Sequence, residues 1–95
     1  MEIKIQSVKF DADKRLVDFV NKKVERIAKF SEEITSVDVV LELLPDRENK
    51  CAKLKVHIPG NSLVVERHAK TFEDAITAAA DTMKENIVRA KEKKN

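Results

Sequence analysis

Ninety-five residues with 38% charged side chains and a formal net charge of +2 make one domain, 1–95, because so short a chain without a Gly/Ser/Pro-rich linker has no room for two cores. The absence of Trp and Tyr, with only four Phe, argues against a nucleic-acid surface built on aromatic stacking and leaves the core to Val, Ile, Leu and Ala. A single cysteine rules out an intrachain disulfide, and neither a signal sequence nor an apolar run of membrane-spanning length is found, so the sequence reads as soluble and cytoplasmic.

In chain order, Ile3 and Ile5 alternate with Glu2, Lys4 and Gln6, which predicts a half-buried strand over residues 2–6. Asp11 or Asp13 supplies the N-cap of a first helix that runs to about Phe30. Leu16, Val20, Val24 and Ile27 give that helix an apolar side. Arg15, Lys22, Arg26 and Lys29 recur at intervals of seven, four and three on the opposite side, with Lys23 nearer the apolar border. Such a face suits phosphate. Its plainer use is a solvated surface, since Asp18 with Lys22 and Glu25 with Lys29 are i,i+4 pairs that can support a helix by ~0.2–0.5 kcal/mol each.

Residues 35–44 switch to period two, with Val37, Val39, Leu41 and Leu43 on one face and Ser36, Asp38 and Glu42 on the other. Pro45 closes this strand, and a polar loop, Asp46 to Asn49, leads to a third strand over 51–58. There Ala52, Leu54, Val56 and Ile58 alternate with Cys51, Lys53, Lys55 and His57. Pro59 and Gly60 fit a tight type II reversal, and residues 63–68 pair back as a fourth strand. Thr71 followed by Asp74 is a capping-box-like start for a second helix, whose apolar stripe is Phe72, Ile76, Ala79, Met83, Ile87 and Ala90. The fold class is therefore α+β, a two-layer sandwich in the order β-α-β-β-β-α. A four-stranded sheet carries both helices on one face, and Lys4, Asp38, Glu42, Lys53, Lys55 and Glu66 lie on the solvated face.

Charge is uneven along the chain. Residues 13–30 hold six Lys/Arg against three Asp/Glu, and residues 84–95 five against two, whereas residues 31–70 hold six against seven. Cations are thus concentrated on the helices. Enzymatic chemistry finds little support, because Cys51 and His57 share a face of one strand but stand roughly 20 Å apart at strand rise, too far for a dyad. His57 and His68 could approach each other across the hairpin, yet no further Cys or His exists to complete a zinc site. Two surface histidines are the simpler reading, and neither a catalytic site, a metal, a cofactor nor a small-molecule substrate is expected. A basic helical face without aromatic platforms suits duplex RNA, which is bound through shape and phosphate, and the plan resembles that of double-stranded-RNA-binding domains.

Nearly the whole chain, residues 3–94, resembles the ribosome hibernation promoting factor family, also called ribosome-associated translation inhibitors or ribosomal subunit interface proteins. The resemblance rests on VNKKVERIAKF at 20–30, VDVVLE at 37–42, KVHIPGNSLVVE at 55–66 and TFEDAI at 71–76, in that order and spacing. It implies a non-enzymatic partner of the small ribosomal subunit that binds rRNA in the decoding region, overlaps the tRNA and mRNA paths and keeps ribosomes idle under stress or in stationary phase. By position, Lys23, Arg26 and Lys29 match cations of the family's first helix, and Arg89 and Lys93 match its second. Arg15 and Lys22 join the first group by helix geometry, and Lys84 and Lys91 join the second from a flank.

The second helix departs from the family's pattern. Many members read Lys-Leu-Glu-Arg-Gln-Leu where this chain reads Thr82, Met83, Lys84, Glu85, Asn86 and Ile87, so two expected cations are replaced by Thr82 and Glu85. Asp74, Asp81, Glu85 and Glu92 then align as an acidic ridge. By the resemblance, a chain ending at Asn95 is the short form without a dimerisation domain, and a homo-oligomer is allowed but not required. Two further functions compete: an interaction module of the same fold that has lost ribosome binding and acts as a homodimer, and a general duplex-RNA binder.

Overall fold

The computed structural model describes residues 1–47 and 49–92, without the side chains of Lys91 and Glu92. Six elements follow one another: β1 (Glu2–Val8), α1 (Lys14–Ala28), β2 (Ser36–Leu43), β3 (Lys50–Ile58), β4 (Asn61–Ala69) and α2 (Phe72–Glu92). The sheet order is β1-β2-β3-β4. β1 runs parallel to β2, and the other neighbours are antiparallel. The crossover through α1 is what permits the parallel pair, since parallel strands need a connection long enough to return to the same end of the sheet.

Period-two patterning decides which sheet face is covered. Val37, Val39 and Leu41 of β2 and Ala52, Leu54 and Val56 of β3 are buried on one face, and α2 packs there with Ala75, Ile76, Ala79, Ala80, Met83 and Ile87. Val20, Val24 and Ile27 of α1 complete the core beside it. Alanines on the buried side of α2 shorten its side chains and let the helix axis approach the strands. Each fully buried Val, Leu or Ile contributes about 1.5–3 kcal/mol relative to exposure.

Local signals set the boundaries. Asp13 is the N-cap of α1, its carboxylate accepting the amide of Leu16 at 2.9 Å, and the Thr71 hydroxyl accepts the amide of Asp74 at 3.0 Å ahead of α2. The first helix ends at Ala28 rather than Phe30, because the Lys29 and Phe30 amides turn back to the Arg26 and Ile27 carbonyls in tighter three-residue bonds. Pairing in β4 starts at Asn61, two residues before the expected 63, since the Pro59-Gly60 reversal leaves Ile58 directly opposite Asn61. Gly60 has φ +75°, as a type II turn requires. β1 extends to Val8, and Lys9 at φ 68° then turns the chain so that Phe10 stacks on Phe72, ring centroids 4.3 Å apart.

Candidate nucleic-acid interface on the helical layer

The outer side of α1 is cationic because its inner side is apolar. At 100° per residue, Arg15, Lys22, Arg26 and Lys29 fall within about 60° of arc and span about 21 Å along the axis. All four are exposed. Among the described residues none of them has a carboxylate partner within ion-pair distance, so the Asp18–Lys22 and Glu25–Lys29 supports remain open. Arg26 in the last turn also meets the negative end of the helix dipole. The result is a line of solvated cations on a rigid rod, which can meet successive phosphates without first breaking internal pairs.

The remaining expected residues divide. Lys23 is half-buried, its ammonium 5.4 Å from the centroid of Phe19, and so belongs to the apolar border. Lys84 is committed twice, to Asp81 at 4.0 Å and to the ring of Phe30 at 5.7 Å. Arg89 is exposed without an internal ion pair among the described residues, and it lines one groove with Phe30, Lys84, Val88 and the carboxylates of Asp81 and Glu85, between α2 and the end of α1. Two carboxylates in that groove, Asp81 and Glu85, separate the cationic face of α1 from Arg89. The side chain of Lys91 and all of Lys93 lie outside the described residues, as does the side chain of Glu92 on the acidic ridge. Asp74, Asp81 and Glu85 are exposed. Thr82 is used internally, accepting a bond from the Arg67 guanidinium at 3.2 Å that ties α2 to β4.

The opposite sheet face holds one correction. His57 and His68 do not approach: His57 pairs with Ser62 beside the turn, and His68 pairs with Cys51 at the far end of the hairpin. Each takes a carboxylate instead, His57 with Asp38 at 2.9 Å and His68 with Glu66 at 3.2 Å. Cys51 is only 5% exposed although it lies on this face, because Glu42 and His68 flank it on β2 and β4. Burial pushes its thiol up, and the Glu66 and Glu42 carboxylates push it further against the weaker pull of Lys53. The Cys51–His68 pairing was missed in the sequence, yet the two-residue turn encodes it: counting seven residues back along each strand from Ile58 and Asn61 leads to it.

Likeness to known proteins extends over nearly the whole chain. Over 93 residues the chain is 25% identical to a ribosome hibernation promoting factor of Azotobacter vinelandii, covering 98% of this chain and 85% of that protein. The fold superposes on a ribosomal subunit interface protein from Coxiella burnetii with a TM-score of 0.88 at 16% identity, covering 97% of this chain and 99% of that one. It also superposes on the N-terminal domain of Thermus thermophilus Protein Y with a TM-score of 0.81 at 24% identity, covering 94% and 98%. These likenesses establish the four-stranded sheet with two helices as a shared fold. With residues 3–95 matching the family described as sigma 54 modulation protein / S30EA ribosomal protein, this chain belongs to that family.

Proposed function

We propose that the protein is a non-enzymatic, ribosome-associated translation inhibitor that docks the outer side of α1 on rRNA of the small subunit's decoding region, blocking the tRNA and mRNA sites. The observation that carries this reading is the exposed line Arg15, Lys22, Arg26 and Lys29, without internal ion pairs among the described residues, in a member of the S30EA family. A relative named as a hibernation promoting factor, matched along nearly the whole chain, supports the same reading. Arg89 extends the contact to α2, whereas Lys23 lies along its own helix over Phe19 and Lys84 clasps α2 to Phe30.

Contact made through phosphates follows counterion release. Five free cations, Arg15, Lys22, Arg26, Lys29 and Arg89, neutralising about five phosphates give a slope of log affinity against log salt of roughly −3.5 to −4.5. Co-sedimentation with small subunits across a salt series tests this. A slope near zero, or pelleting that any duplex RNA competes away, would count against a specific ribosomal site.

One observation favours a second reading, a homodimer without ribosome affinity: β4 is a free edge strand, and Val64 on it is 52% exposed. Light scattering over a concentration series, combined with failure to pellet with ribosomes, would select that alternative.

A further inference from the structure

We propose that Cys51, Glu66 and His68 form a binding site for a transition-metal dication of the zinc class, on the sheet face opposite the helices. The Cys51 sulfur, a Glu66 carboxylate oxygen and a His68 ring nitrogen all lie within 4.8 Å of one another. Two of the three are closer still, His68 Nε2 being 3.2 Å from Glu66 Oε2. Tetrahedral zinc, with bonds of about 2.0–2.3 Å, holds its donors about 3.3–3.6 Å apart. The imidazole and carboxylate already meet that spacing. The legs to sulfur are no longer than 4.8 Å, and rotation of the exposed His68 and Glu66 side chains can close what remains without moving the strands.

The backbone places these donors by register. Cys51 and His68 are directly opposed, and Glu66 stands two residues from His68 on the same face of β4. On the other side of Cys51 the opposed residue is Glu42 of β2, at the ordinary cross-strand separation of about 4.5–5.5 Å between Cβ atoms. Sulfur, imidazole and carboxylate together select a borderline metal. Magnesium and calcium prefer all-oxygen sets, whereas thiolate with imidazole suits zinc or cobalt. Lys53, 4.0 Å from Glu66 Oε1, stands at the rim with an exposed side chain that can swing away. Because the helices cover the other face of the sheet, metal would cross-link β3 to the edge strand β4 without touching Arg15, Lys22, Arg26 or Lys29.

Titration of the whole protein with cobalt(II), followed by absorbance, tests the site. One equivalent is expected to bind with a thiolate-to-cobalt charge-transfer band, and zinc is expected to displace it. Cys51→Ser should abolish the band, and His68→Gln should weaken binding at least 10-fold. His68 is exposed, so its variant remains decisive even if the buried Cys51→Ser fails to fold, with circular dichroism reporting the fold of each. Zinc should also raise the melting temperature of the wild type and not that of His68→Gln. Absence of the charge-transfer band, or a His68→Gln titration indistinguishable from wild type, would overturn the proposal.

Discussion

The Lys84 ammonium lies 5.7 Å from the centroid of the Phe30 ring and 4.0 Å from an Asp81 carboxylate oxygen, clasping the middle of α2 to the end of α1. A cation held this way is partly neutralised before any RNA arrives. Lys84→Ala should therefore cost folding stability by about 0.5–2 kcal/mol, from a partly exposed cation–π contact and a surface ion pair. It should leave the salt slope of ribosome binding unchanged. Lys29→Ala, by contrast, should reduce that slope by about 0.7–0.9 with little effect on stability. Urea denaturation and salt-series sedimentation of the two variants separate the roles.

Leu54 is fully buried at the centre of β3, between Val39 on β2 and Val65 on β4. Truncation leaves a cavity that the flanking strands cannot close. Leu54→Ala should destabilise the fold by about 2–5 kcal/mol, read from the midpoint of a urea transition at constant slope.

At Gly60 the backbone is left-handed, φ +75°, and an added Cβ meets nothing within 4 Å. The penalty for a side chain there is conformational, not steric crowding. Gly60→Ala should cost about 1–2 kcal/mol, and Gly60→Asn less, since asparagine tolerates this region. Thermal melts of the two variants provide the comparison.

Burial and the carboxylates of Glu66 and Glu42 hold the Cys51 thiol above its ordinary 9.0 in the folded chain. Below that ordinary value both folded and unfolded forms keep the proton and stability is at its full value. As pH climbs from there through the higher folded pKa, the unfolded chain releases its proton first, and stability falls. In the presence of a chelator, wild type should lose more stability between neutral and strongly alkaline pH than Cys51→Ser. Alkylation of Cys51 at neutral pH should be slower than that of an unstructured thiol.

Much of the architecture could be read from spacing alone. Alternation through Val37, Val39 and Leu41 marks both the second strand and its buried face, and Thr71 marks the start of the second helix, whereas the choice between Asp11 and Asp13 as the first cap is settled only by the Asp13 bond to Leu16. The cationic side of α1 was legible for the same reason, since an apolar side on one helix fixes the direction of the other. Partnership was legible only in part. Asp81 stands at i,i+3 from Lys84 and could be read from spacing, but only the packing of α2 against the end of α1 brings Phe30 to that lysine. The Cys51–His68 pairing escaped because distance was counted along one strand, not carried across the hairpin from its turn.

The central claim, that the outer side of α1 is the ribosome-binding face, is tested most directly by co-sedimenting wild type and the Arg26→Glu/Lys29→Glu double variant with small ribosomal subunits, at low and high salt, with a soluble duplex RNA as competitor. Wild type is expected to pellet in a salt-sensitive manner that the duplex does not compete, and the folded double variant to lose affinity roughly 100-fold or more at low salt, as two phosphate contacts of about 1.4 kcal/mol or more each would dictate. Unchanged co-sedimentation of the double variant would contradict the assignment of α1.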